Sequence, residues 1–216
     1  MELYIKGDFT KEIPFDYLDL AKRMWFESYQ GEDIPISYSG YRRIREGNDL
    51  AIHLKLDKQD YDERWLHVPI QEGIKYRFYS QIDEDLNLDF EGAYVTDCRE
   101  NGDYLCLAST HLKLLTLDRR AMYIMAVEIA TIFDGQISED GKKSWISVEE
   151  FKARHSDTLS LTFEEANEKS LEEIRTIDPT EEPLWAELDQ KREEYIRIHG
   201  EAELGDEYEE EDEEDE

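Results

Sequence analysis

The 216-residue chain sets 55 Asp and Glu against 25 Lys and Arg, a formal charge of −30. Its 39% hydrophobic residues include 4 Trp, 13 Tyr and 8 Phe, which excludes disorder throughout, and a chain of this size buries roughly 70% of its unfolded surface. The acidic balance argues against direct contact with nucleic acid or an anionic membrane surface, since both are met by clustered cations.

Residues 2–6 alternate and predict a strand, and residues 1–7 lack the basic start and apolar run of a secretory leader. Pro14 opens a helix with Phe15, Leu18, Ala21, Trp25 and Tyr29 at helical spacing, closed by Gly31. Residues 38–44 read as a weak strand or loop, and 49–57 as a half-buried strand with Leu50, Ile52, Leu54 and Leu56 on one face. The polar stretch 58–63 leads to an edge segment or loop over 65–70, which contains Pro69. Strands are predicted at 75–82, 86–90, 93–97 and 104–109. Asn101-Gly102 forms the strongest hairpin turn, and 112–117 extends the sheet.

Asp118 is placed as the cap of a helix over 119–133, apolar on nearly every side and so expected against the sheet, with Gly135 ending it. A second hairpin turns at 139–142. Ser147…Glu150 and Thr162…Glu165 have the spacing of capping boxes that open helices to about Arg154 and Arg175. Pro179 breaks the chain before a last helix from about 181 to 199. The longest apolar run, 121–133, is interrupted by Glu128 and too short to span a bilayer. The order of elements predicts an α+β fold: a mostly antiparallel sheet packed by helices, with a helical C-terminal segment and a disordered acidic tail. The predicted division is a globular domain over 1–157, a helical extension over 158–200 packed on or beside it, and the tail over 201–216. Two loose sheet-plus-helix halves, 1–57 and 75–134, are a weaker alternative.

No local pattern for catalysis stands out. Asp83, Asp85, Asn87 and Asp89 alternate like calcium ligands, but Leu88 and Tyr94 occupy the sixth and twelfth positions, where an EF-hand needs Gly and Glu. The solvent face of a strand explains them better. His53, His67, His111, His155 and His199 show no metal-ligand spacing, so no metal or cofactor is expected. Cys98 and Cys106 read as reduced core thiols of a cytoplasmic protein. The pairs Asp134-Gly135 and Asp140-Gly141 read as turns. The basic and aromatic cluster of Tyr38, Tyr41, Arg42, Arg43 and Arg45 is assigned an internal role, since the overall field repels polyanions.

Residues 119–151 combine a buried helix (Ala121 to Ala130), Asp134-Gly135-Gln136-Ile137, a turn, Trp145 and a Ser147-capped helix. This stretch resembles small acidic immunity proteins of bacterial toxin–immunity systems. The resemblance implies an inhibitor that is not itself an enzyme and that occludes a basic toxin or effector enzyme. Charge points the same way: twelve of the acidic residues fall in 201–216, leaving −18 on the remainder. The candidate contacts are Asp57, Asp60, Asp62 and Glu63 in one stretch, and Asp83, Glu84, Asp85, Asp89 and Glu91 in another. The competing readings are a nucleic-acid mimic that blocks a DNA-acting enzyme, an enzyme with a non-local site, and an adaptor that docks through its final helix.

Overall fold

A computed structural model describes residues 1–26, 35–40, 51–68, 82, 84–90, 104–111, 113–176, 194, 196 and 197. Strands β1 (Glu2–Lys6), β2 (Ile36–Gly40), β3 (Ala51–Leu56), β4 (Leu86–Phe90), β5 (Leu105–Ser109), β6 (Gln136–Ser138) and β7 (Ile146–Ser147) form one antiparallel sheet. Their spatial order is β2-β3-β4-β5-β1-β6-β7. The first strand thus lies inside the sheet, pairing Leu3 with Leu107 and Ile5 with both Leu105 and Ile137. A single sheet runs through the segments that the weaker alternative divided into two halves.

Alternation makes one face of that sheet apolar. Leu3, Ile5, Ile52, Leu54, Leu56, Leu86, Leu88, Leu105, Leu107 and Ile137 are all buried in one cluster. Helix α3 (Thr116–Ile132) packs against this face, with twelve of its seventeen residues buried. Helix α1 (Tyr17–Trp25) lies beside it and buries Leu20, Ala21, Met24 and Trp25. Asp16, two residues after the Pro14 of the prediction, caps α1 by accepting from the Asp19 N–H at 3.0 Å. The fold class is therefore α+β, as composition and element order predict.

Three predicted elements change. Residues 65–67 are not an edge segment or loop: a 3₁₀ helix (Glu63–His67) occupies them, preceded in the polar stretch by helix α2 (Lys58–Tyr61). Trp65 is wholly buried and needs a turn of helix to reach the core. Residues 112–117 do not extend the sheet, because α3 begins at Thr116 and Leu114 and Leu115 enter the core. Asp118 consequently lies within the first turn of α3 and is not its cap. Helix α6 (Phe163–Glu173) supplies the cap from a distance. Glu173 accepts from the Thr116 N–H at 2.7 Å, and Ser170 Oγ accepts from the Leu117 N–H at 2.8 Å.

The C-terminal part of this body follows its sequence signals. Gly135 closes α3 by donating its N–H to the Ala130 carbonyl at 2.7 Å. The left-handed residue is Asp134 (φ 46°), and a Cβ on Gly135 would meet the Lys6 carbonyl, so this glycine answers to close approach. Asp140 organises the β6–β7 turn, accepting from Ser138, Ser144 and the Lys143 N–H. Helices α4 (Val148–Arg154) and α5 (Ser156–Leu159) follow β7. At Thr162 both halves of the capping box form. At Ser147 the serine half forms, while Glu150 pairs with Arg154.

The chain divides into two compact units, Met1–Glu182 and Pro183–Glu216. Helix α6 thus lies in the same unit as the sheet. In the second unit the described residues, Glu194, Ile196 and Arg197, are helical. The predicted tail 201–216, the Asn101-Gly102 turn, the strand at 93–97, all of the strand at 75–82 but Ile82, Cys98, His199 and Arg42, Arg43 and Arg45 lie outside the described residues.

Candidate functional site

The two predicted acidic stretches each send a side chain, Lys58 and Glu84, into one buried cluster of ionisable groups. Lys58, the first residue of α2, is 2% exposed, and its Nζ donates to Asp118 Oδ1 and to the Ile82 carbonyl, each at 3.0 Å. The ring of Trp65 lies 5.9 Å from the same ammonium. Asp118 is 1% exposed, and its Oδ2 has no hydrogen-bond partner among the described residues. Burial raises its carboxyl to about 6 against the pull of the Lys58 ammonium, and the Glu84 carboxylate adds to the rise.

Glu84 is itself 1% exposed. It accepts from the N–H groups of Thr110 (2.6 Å) and His111 (3.3 Å), and its Oε2 lies 2.8 Å from His111 Nδ1. The amino terminus of β1 closes the far side: the Met1 ammonium donates to Ser109 Oγ at 2.7 Å and to the His111 carbonyl at 3.1 Å. Burial lowers the Met1 ammonium, with Glu84 opposing the fall.

The remaining predicted contacts separate into exposed and engaged groups. Asp60 and Glu63 are exposed on α2 and the 3₁₀ helix, and Asp85 is exposed before β4. Asp57 is half-buried and accepts from Ser37 Oγ at 2.9 Å. Asp62 is tied inward, held by the Arg64 guanidinium and by Asn167 Nδ2 at 2.8 Å. The hydrogen bond from Arg64 lowers its carboxyl to about 2. Glu84, a candidate contact by sequence, is buried, its carboxylate engaged by the Thr110 and His111 amides. Asp89 lies on β4 opposite Ala51 and Cys106. Asp83 and Glu91 lie outside the described residues.

The surface above the cluster is acidic. The Arg64 guanidinium bridges Asp62 and Glu168, each at 2.6 Å, and Trp65 Nε1 donates to Asn167 Oδ1 at 2.9 Å, joining the 3₁₀ helix to α6. Along these elements and α2, Asp60, Glu63, Glu164, Glu165, Glu168 and Glu172 are exposed. Leu66, 51% exposed, is the most exposed large apolar side chain among the described residues.

Sequence reasoning missed Lys58, His111 and Asp118 as a unit because they lie on separate elements. It missed the α6 glutamates because a capping box and a solvated helix face explain them locally. The available signal was their four-residue spacing at Glu164, Glu168 and Glu172. Among the described residues no group of three or more His, Cys, Asp or Glu is arranged to hold a metal ion, and no helix is long and apolar enough to cross a membrane.

No family model matches the chain, and neither a curated protein nor a solved structure is significantly similar to it.

Proposed function

We propose that the protein is a cytoplasmic, immunity-type inhibitor that binds a basic toxin or effector enzyme and occludes its surface. The observation that carries this reading is the set of exposed acids on α2, the 3₁₀ helix and α6 (Asp60, Glu63, Glu164 and Glu168), with Leu66 exposed on the same 3₁₀ helix. Carboxylates around an apolar residue suit a partner that brings Lys and Arg around a hydrophobic pocket. Charge speeds the encounter, and the apolar anchor supplies affinity once water is excluded. The net charge of −30 adds a long-range field of the same sign.

The test is stoichiometric binding and inhibition by the full-length protein. A basic enzyme captured from the native host should lose activity at one-to-one ratio. Glu63→Lys with Glu164→Lys should slow association, and Leu66→Asp should weaken binding by about tenfold or more. Unchanged binding in both variants would remove this face from the reading. Competition by duplex DNA for the same partner would favour the nucleic-acid mimic instead.

An enzyme with a non-local site is the second reading, favoured by one observation: His111, Glu84, Lys58 and Asp118 gather around a raised carboxyl. All four are 2% exposed or less, which leaves a substrate no route to them in this conformation.

A further inference from the structure

Lys58 and Asp118 form an ion pair sealed from water, and they join two elements with different anchoring. Helix α3 is built into the core along its whole length. Helix α2 is four residues long, and Lys58 is its one buried residue. The Tyr61 ring also packs inward, 4.5 Å from Phe163 and 5.8 Å from Phe26. An ammonium in such a site needs its counter-charge, since removing one partner of a buried pair leaves the other uncompensated.

We propose that the Lys58–Asp118 pair is a proton-operated latch, in which proton uptake by the Asp118 carboxylate loosens α2 and the following 3₁₀ helix from α3. The unpartnered Oδ2 is the atom that accepts the proton, since Oδ1 is engaged by Lys58. Protonation leaves the Lys58 ammonium with the Ile82 carbonyl and the Trp65 ring, neither of which carries a countercharge. The other charged groups set the field. Glu84, before β4, resists a second anion at Asp118, while His111, after β5, favours it. The Met1 ammonium faces Glu84 from β1, and Glu173 of α6 sits on the first turn of α3.

The direction follows from linkage. When α2 opens while Asp118 stays packed on α3, the carboxyl loses the Lys58 ammonium but keeps its burial and the Glu84 carboxylate, so the open form binds a proton more tightly than the closed one. Acid therefore favours opening. The gain is at most about tenfold per pH unit and levels off below about 6, where the closed form is protonated too. The latch stands independently of the proposed function. If α2 and the 3₁₀ helix do meet a partner, it would also make that binding depend on pH.

Hydrogen exchange on the full-length protein tests this between pH 8.0 and 5.5, after correction for intrinsic rates. The amides of Tyr61, Asp62 and Trp65 should lose protection severalfold on acidification while those of α3 hold theirs. Asp118→Asn should show the loosened α2 already at pH 8.0, without further pH dependence. The Asp118 carboxyl, followed by ¹³C NMR in the wild-type protein, should titrate over the same range. A carboxyl that titrates below about pH 4.5, near its ordinary value, overturns the latch, as does pH-independent protection in the wild type. The wild-type measurements decide the matter even if Asp118→Asn does not fold.

Discussion

At the level of single residues, the buried charges are where small chemical changes have large consequences. Lys58→Met strands the Asp118 carboxylate and should cost about 3–5 kcal/mol in urea denaturation, whereas Lys58→Met with Asp118→Leu should restore most of that loss. The pH dependence has a definite sign. The folded chain holds the Asp118 proton more tightly, with the carboxyl raised from 3.8 to about 6. Its stabilising contribution is thus full below 3.8 and lost as pH rises through about 6. The stability of the wild type relative to that double variant should therefore increase as pH falls from 7 to 5. Asp62 acts oppositely: its carboxyl is lowered to about 2, so its contribution holds above 3.8 and is lost as pH falls toward about 2. Global unfolding and the local opening of α2 thus respond to Asp118 protonation in opposite directions, which separates the two experimentally.

Elements in this protein are held to one another by side chains that serve main-chain groups. Glu173 and Ser170 of α6 cap α3, while Arg120 of α3 donates to the carbonyls of Met24 (2.8 Å) and Leu161 (2.7 Å). Asn167 is the corresponding joint between α6 and the 3₁₀ helix, accepting from Trp65 and donating to Asp62. Asn167→Leu leaves the buried indole N–H without its acceptor and should cost about 1–3 kcal/mol in thermal or urea unfolding. Thr162→Ala removes the cap of α6 and should cost about 1 kcal/mol. The loss should be felt at the amides of α3 as well as α6, because α6 carries the cap of α3. At the other end of α3, Gly135→Ala drives a methyl group into the Lys6 carbonyl and should cost roughly 1–3 kcal/mol, read as a fall in urea midpoint.

For the molecule as a whole, charge is the dominant long-range property. Association with a basic partner should slow by roughly an order of magnitude from low to high salt, as electrostatic steering does elsewhere, while dissociation changes less. Stopped-flow measurement at several ionic strengths reads this directly. A salt-independent association rate would argue that the −30 charge serves solubility and that recognition rests on apolar contacts.

Local physics was legible in the sequence. Alternation in β3 and β4 identified the strand faces, Ser147 and Thr162 marked helix starts, and the apolar girth of α3 required burial between sheet and helices. Each of these depends on residues within one turn or one strand of each other. What only the tertiary structure decided were the meetings of distant segments: β1 between β5 and β6, the capping of α3 by α6, and Lys58, Glu84, His111 and Asp118 in one enclosed site. Asp118 shows why. Near the start of a helix an aspartate ordinarily caps or stays in water, and only the side chain arriving from residue 58 makes its burial tolerable. Glu84 shows the same: in sequence it belongs to an acidic surface run, and two amides from the end of β5 turn it inward. A buried charge depends on a partner that chain neighbours do not supply.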